Sequence, residues 1–449
     1  MKFHIWTIGC QMNEADARHL DERLRAAGHE PCDDPRDADL VILNSCVVRQ
    51  SAEQRVRERL NAALAWKRQR PGRHVALMGC LVGHRERDAR RLAADLPEVD
   101  FLLPPSDPSA LLDALAPGAA HSSPGDRCGA ATTDAAIGGR DAPVRANVPV
   151  VLGCSRVCSY CVIPYRRGRE RSRPRAEILR EVESLVERGT REVVLLGQIV
   201  DRYGLDRPGE GDLADLLRDV ARTEVLRVRF LTNHPAFLTD RLLDAVAETP
   251  KICPHFEMPA QAGDDEILAR MRRGYTVREY LQTVARVRER LPEAAIHSDF
   301  IVGFPGETDA QFEATVRLVE QVRFDKLHIA CYSPRPDTLA ARRWPDDVPP
   351  AIKEDRRRRL DELQTRIQRE LNASLLGREV EVLVDGRDDR RRRWRGRTTT
   401  DRIVFFEDAR NRLGELARVR IVWTGPHSLI GEPADVPAEA GQFPNRSVA

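Results

Sequence analysis

The chain has 449 residues, enough for two or three domains with separate cores. Lys+Arg 72 against Asp+Glu 70 leaves a net charge of +2, so bulk charge names no partner. With 32% charged and 5% aromatic residues, and no run of about 18 apolar residues, no membrane span is expected and the chain reads as cytoplasmic.

The N-terminus is strand-like and lacks a signal-peptide apolar region, and ten cysteines in a cytoplasmic chain point to metal or catalysis rather than disulfides. Residues 3–8 read as a strand, and Asn13 as the cap of a helix that runs to Ala27 and stops at Gly28. Strands at 40–43 and 74–78 alternate with helices at about 52–68 and 86–96. This alternation predicts an α/β fold, with a doubly wound parallel sheet over residues 1–117. Sites in such sheets form at the carboxyl ends of strands. Cys10, Cys46 and Cys80 each fall just past a strand end, so they should converge on one edge. Three thiols there suit an iron–sulfur cluster, and small buried core cysteines are the plain alternative. Cys32 and Cys128 read as incidental, and residues 118–147, rich in Gly, Ala, Ser and Pro, as a linker.

The alternation resumes over residues 148–345. Strands are expected at 148–152, 192–196, 226–231, 252–258, 296–302 and 326–331, with helices at 175–188, 212–222, 239–248, 276–291 and 308–321. Six such units make a partial parallel (β/α)6 barrel with its sites at the carboxyl mouth. Cys154, Cys158 and Cys161 have the spacing Cys-x3-Cys-x2-Cys in the loop after the first strand. Clustered thiolates need a soft metal centre. Structural zinc takes four ligands, and no fourth Cys or His follows nearby. A 4Fe-4S cluster on three cysteines leaves one iron open to a cofactor. Zinc and three free thiols are the other readings. Arg173, Gln198, Gln261, Asp299 and Gly303 stand at strand ends and helix starts around the mouth, as candidate cofactor contacts. Cys253 and Cys331 read as core.

Residues 346–375 read as a charged connecting helix, 376–436 as a small antiparallel β-barrel and 437–449 as a tail. Strands of the small barrel are expected at 380–384, 398–406 and 417–422. Arg390 to Arg397 is an arginine run broken by one Trp. A solvated turn is the plain reading. On a small barrel, Arg391, Arg392, Arg393 and Arg395 suit phosphates and Trp394 suits stacking on a base of single-stranded RNA.

Tyr160 precedes the last cysteine of the Cys-x3-Cys-x2-Cys loop. Together with Ser172-Arg-Pro174, Leu195-Leu-Gly-Gln198, Gly303-Phe-Pro-Gly-Glu-Thr308 and Tyr332-Ser-Pro-Arg-Pro336, the pattern resembles the methylthiotransferase family of radical S-adenosylmethionine (SAM) enzymes. The resemblance covers about residues 3–435, and Gly9-Cys-Gln-Met-Asn13 is similar to its MiaB-like, tRNA-modifying branch. It implies a TRAM-like C-terminal domain, two 4Fe-4S clusters, and SAM on the cluster of Cys154, Cys158 and Cys161. It also implies methylthiolation of carbon 2 of N6-isopentenyladenosine next to the anticodon, at position 37 of tRNA. The sulfur would be methylated by one SAM at the auxiliary site of Cys10, Cys46 and Cys80. A radical from a second SAM would remove the hydrogen at carbon 2. A low-potential electron donor of flavodoxin or ferredoxin type, an unspecified sulfur donor and a monomeric state complete the expectation. Three features depart from the family pattern: Glu257 in place of a His, Ala262 in place of a Ser, and Ile199-Val-Asp201 after Gln198. A sibling enzyme acting on threonylcarbamoyl-adenosine or a ribosomal-protein aspartate is an alternative. So is a non-catalytic, metal-stabilised RNA-binding protein.

Overall fold

The computed structural model describes residues 1–47, 50–116 and 142–434; Cys128, most of the expected linker and the expected tail lie outside them. The first domain comprises β1 (Lys2–Thr7), α1 (Gln11–Ala26), β2 (Glu30–Pro31), β3 (Leu40–Ser45), α2 (Gln50–Arg68), β4 (His74–Gly79), α3 (Glu86–Asp95), β5 (Phe101–Leu103) and α4 (Ser109–Leu115). Its strands are all parallel, in the order β2-β1-β3-β4-β5. β3 is buried along its whole length, as a central strand covered on both faces must be. Its side chains alternate between two cores. Val41 and Leu43 pack with Val56 and Leu60 of α2, while Leu40 and Ile42 pack with Leu20 and Leu24 of α1. Cys10, not Asn13, is the N-cap of α1; the Asn13 side chain reaches back to the Cys10 N–H at 3.4 Å.

The central domain contains β6 (Arg145–Pro149), β7 (Val151–Leu152), α5 (Ile163–Arg166), β8 (Arg171–Ser172), α6 (Arg175–Glu187), β9 (Glu192–Leu196), α7 (Leu213–Arg222) and β10 (Arg227–Phe230). It continues through α8 (Asp240–Glu248), β11 (His255–Glu257), α9 (Asp265–Met271), α10 (Val277–Arg290), β12 (Ala295–Val302), α11 (Asp309–Val322), β13 (Lys326–Cys331) and α12 (Leu339–Arg343). Two parallel sheets, β6-β9-β10 and β11-β12-β13, are joined by a bridge between Val228 and Ile252 into an open arc. The first strand begins at Arg145, inside the stretch read as linker, and breaks after Pro149. Val193 and Leu195 face the helices. Val194 and Leu196 face inward, where they meet Met12 of α1. The first domain thus packs into the inner side of the arc.

α13 (Pro350–Ala373) leads to β14 (Glu379–Asp388), β15 (Arg393–Arg397), β16 (Ile403–Phe406), β17 (Leu416–Thr424) and β18 (Leu429–Pro433). These close a barrel in the order β14-β15-β16-β18-β17. The last five residues of the arginine run are therefore a strand, and residues 398–402, expected in a strand, form a loop.

That loop plugs the amino-terminal end of the central arc. Fully buried Arg229 donates to Glu192 (3.2 Å) and to the carbonyls of Thr399 (3.0 Å) and Thr398 (3.2 Å). Arg227 donates to the Arg397 carbonyl (2.6 Å), and Arg145 bridges Glu192 (3.0 Å) and Asp401 (3.4 Å). Burial opposes the Asp401 charge, but Arg229, with Arg145 and Arg397, outweighs it and holds the carboxyl well below its ordinary range. His255 and His297 share a 2.8 Å hydrogen bond beside it, both kept neutral by burial. The donor atoms of His255, His297 and Asp401 lie within 4.8 Å of one another. The guanidinium groups already neutralise Asp401, so the group is a polar seal and not an ion site.

Arg229→Met removes one side of this buried network. The expected cost is about 3–5 kcal/mol, read as a lower thermal midpoint with easier proteolytic release of the small barrel. An unchanged midpoint would show that the seal does not hold the barrel in place.

Candidate active site

Gly153 ends β7 in a left-handed conformation (φ +70°), and a Cβ there would meet the Arg169 carbonyl oxygen at 2.2 Å. The chain can therefore double back, and Cys154 N–H donates to the Gly168 carbonyl (3.0 Å). Ser159 pins the loop to the end of α9, through its N–H to Met271 (3.0 Å) and its hydroxyl to Arg270 (2.7 Å). A turn from Cys161 N–H to the Cys158 carbonyl (3.1 Å) brings the last two cysteines round. Burial, reinforced by the neighbouring Cys158 and Cys154, pushes the Cys161 thiol up to about 12. Arg273, buried on the loop after α9, reaches Cys158 Sγ and the Tyr160 hydroxyl, each at 3.5 Å. It is fixed there by Tyr275 (3.0 Å) and the Pro259 carbonyl (3.1 Å).

The second triplet forms as the parallel sheet dictates. Cys10, Cys46 and Cys80 follow β1, β3 and β4 at one edge. Asn13 Nδ2 donates to Asn44 Oδ1 (2.9 Å) and the Ser45 carbonyl (3.0 Å), and Asn44 returns a bond to the Asn13 carbonyl (2.6 Å). Both amides are buried, so the first turn of α1 is locked to the end of β3. Gly79 (φ +101°) crosses the Ser45 backbone so closely that a Cβ would meet its oxygen at 2.6 Å. Burial, with Cys46 and Cys10 nearby, pushes the Cys80 thiol up to about 11 against the pull of Arg167.

These donor sets suit iron–sulfur clusters. Cys46, Cys80 and Cys154 are buried, Cys158 and Cys161 half-buried and Cys10 exposed. Clustered thiolates with this much burial need a soft cation among them, and each set offers three such ligands.

A cavity of about 1040 Å³ opens at the carboxyl end of the arc, lined by Gln54 of the first domain and by Cys161, Gln261, Asp299, Tyr332, Arg335 and Lys353. Of the candidate cofactor contacts, Gln261 and Asp299 line it. Gln261 is left-handed (φ +72°) and tied by its N–H to the Asp299 carbonyl (2.9 Å). Arg173 is elsewhere: it donates to Glu181 (2.6 Å) and the Pro149 carbonyl (2.8 Å). Glu181 also takes Arg18 and His19 of α1, so Arg173 serves the domain boundary. Gln198 lies half-buried just past β9, outside the lining. Gly303 lies behind the wall; a Cβ there would meet Lys353 Cγ at 2.3 Å, so glycine lets Lys353 take its place. Cys331 lines the cavity and is only half-buried, which corrects its reading as core. Cys253 is core. Buried Arg335 pairs with Glu53 (3.3 Å) and lies within electrostatic reach of Cys46. It therefore links the cavity to the second triplet.

In the arginine run, Trp394 is buried in the small barrel's core, with Nε1 donating to the Asp408 carbonyl (3.1 Å). It cannot stack on a base, because β15 turns position 394 inward. Arg393 pairs with Glu407 (3.1 Å) and Arg395 with Asp385 (2.8 Å). Arg390, Arg391 and Arg392 form the exposed turn.

Glu257 ends β11 and accepts the Thr232 N–H (3.2 Å). Burial, then the Asp299 charge, pushes its carboxyl up to about 7. An acid raised in the fold costs stability as pH climbs from its free value through about 7. Glu257→Gln should therefore raise the thermal midpoint at pH 8 and lose that advantage by pH 5. A pH-independent difference would contradict the buried-carboxyl account.

Residues 2–104 match Uncharacterized protein family UPF0004, residues 148–319 the Radical SAM superfamily and residues 373–434 the TRAM domain. The chain is 46% identical over 439 residues to the tRNA-2-methylthio-N(6)-dimethylallyladenosine synthase of Chloroflexus aurantiacus, covering 96% of this chain and 91% of that protein. The enzymes of the same name from Roseiflexus sp. and Herpetosiphon aurantiacus are 46% and 42% identical, each over 96% of this chain and over 89% and 98% of their own. Among solved structures, the radical S-adenosylmethionine methyltransferase TsrM from Kitasatospora setae is similar in fold, with a TM-score of 0.51 at 15% identity over 76% of this chain and 77% of that one. The chain belongs to the tRNA-2-methylthio-N(6)-dimethylallyladenosine synthase family of radical SAM enzymes.

Proposed function

We propose that this protein adds a methylthio group to carbon 2 of N6-dimethylallyladenosine at position 37 of tRNA. The observation that carries the reading is the cavity itself. It has Cys161 in its wall, residues of two domains in its lining, and Arg335 connecting it to the side of Cys46. When bound, two 4Fe-4S clusters and SAM would supply a 5'-deoxyadenosyl radical from the first triplet and a methylated sulfur at the second.

The chain's own residues do the rest. Gln261 and Asp299 offer an amide and a carboxylate to a polar cofactor, held in fixed relation by the bond between their backbones. Val162, Ile163, Ile301 and Ile329 line the same space and exclude water from a reactive carbon. The seal around Arg229 and Asp401 closes the other end of the arc. Arg335 places a guanidinium, paired with Glu53, in the wall. The names of the similar enzymes favour the dimethylallyl substrate over threonylcarbamoyl-adenosine or a protein aspartate. A cytoplasmic monomer reduced by a flavodoxin- or ferredoxin-type donor completes the reading, with the sulfur donor unspecified.

The exposed turn Arg390–Arg392 would grip tRNA phosphates without help from Trp394. Changing Arg390, Arg391 and Arg392 to Gln should weaken tRNA binding most at low salt and flatten the salt slope by roughly one per lost phosphate contact. Filter binding across salt concentrations checks this. An unchanged slope would make the run a solvated turn.

Cys46→Ala separates the half-reactions. It should still release 5'-deoxyadenosine from SAM under reduction, yet form no methylthio product. Loss of both activities with an unaltered circular dichroism spectrum would contradict a separate sulfur-side site. Nucleoside mass spectrometry of tRNA from a deletion strain tests the substrate. The 2-methylthio nucleoside should vanish and N6-dimethylallyladenosine should accumulate, both reversed by a plasmid copy. An unchanged profile would overturn the reading.

A further inference from the structure

Arg167 lies in the loop that carries Cys154, Cys158 and Cys161, yet its side chain serves the other triplet. It follows α5, and its side chain is only 3% exposed. Nε donates to Cys80 Sγ at 3.2 Å, Nη2 to Asp16 at 3.0 Å and Nη1 to the Ser106 hydroxyl at 3.4 Å. Ser106 in turn donates to Asp16 at 2.6 Å. One guanidinium thus holds three separate segments of the first domain: the end of β4, the first half of α1 and the turn after β5. Asp16 takes Nη2 directly and Nη1 through Ser106, and the Nε–H is aimed at sulfur. A neutral thiol is a poor acceptor, whereas an anionic sulfur ligand accepts well from a cation.

We propose that Arg167 is a positioning residue for the auxiliary site. It holds the Cys80 sulfur across the domain boundary and, by donating to it, raises the reduction potential of an iron–sulfur cluster on Cys10, Cys46 and Cys80. This inference rests on the two-cluster reading above. The physical cause is simple. Reduction adds negative charge to the cluster, and a buried cation with an N–H···S bond stabilises the more negative state. Arg167 also lies six residues after Cys161, so the bond ties the auxiliary site to the radical loop itself.

The test uses the full chain with Cys154, Cys158 and Cys161 changed to Ala, so that only the auxiliary set remains. After anaerobic reconstitution, iron is counted and the midpoint potential is measured by redox titration monitored by electron paramagnetic resonance. The parent should hold about four irons; a parent without iron would sink the two-cluster reading and this inference with it. In that background Arg167→Gln should shift the midpoint to more negative values, and Arg167→Lys should recover part of the shift. Loss of the cluster in the Gln variant but not in the Lys variant would also support a charged contact. A Gln variant with full iron and the parent's midpoint would overturn the inference alone. So would equal loss of iron in both variants, since charge would then not matter.

Discussion

Two carboxyl edges face each other in this protein, and buried polar bonds hold them there. One belongs to the parallel sheet of the first domain, the other to the open arc of the second. Arg167 spans them through Cys80 and Asp16, and Arg335 spans them through Glu53. Further along the same boundary, Glu181 collects Arg18, His19 and Arg173. Burial would raise the Glu181 carboxyl, but His19, Arg173 and Arg18 hold it well below its ordinary value. Breaking such a set strands a buried charge, so the edges keep one relation. Because loops at strand ends carry the cysteines, fixing the edges also fixes one thiol set relative to the other, with Cys161 in the cavity wall and Arg335 between the cavity and Cys46.

The opposite end of the arc follows the complementary logic. Parallel strands expose backbone and inward side chains at their starts, and here those are Arg145, Glu192, Arg227 and Arg229. The loop between β15 and β16 satisfies them with carbonyls and with Asp401. The small barrel that matches the TRAM domain therefore also closes the amino-terminal end of the arc, opposite the cavity.

Much of this was legible in the sequence, because buried parallel strands are short apolar runs and helices between them keep their period. β9, β13, α6 and α10 fell within a residue or two of expectation. The placement of the six cysteines in loops after strands was legible for the same reason. What was missed has physical causes. β15 reads as a charge run because its outward positions, Arg393, Arg395 and Arg397, hide the inward pair Trp394 and Gly396. β5 has only three residues, too few to show alternation. Arg167 and Arg273 find their sulfur partners 87 and 115 residues away, beyond the reach of any local pattern. Arg173 sits at a helix start near the mouth, but its acid lies on that same helix and points it to the domain boundary. Asn13 has the right chemistry for a cap, but it stands at the third helical position, where its Oδ1 accepts from the Cys10 N–H and its amide bonds Asn44.

The central claim is that two thiol sets, held by two facing carboxyl edges, serve one cavity that has Cys161 in its wall. Anomalous diffraction at the iron edge, from crystals of the anaerobically reconstituted full chain, tests it most directly. The account predicts two separate multi-iron peaks. One should be bonded to Cys154, Cys158 and Cys161, the other to Cys10, Cys46 and Cys80, with the space lined by Gln261 and Asp299 between them. A single peak, or iron lodged instead at His255, His297 and Asp401, would contradict it.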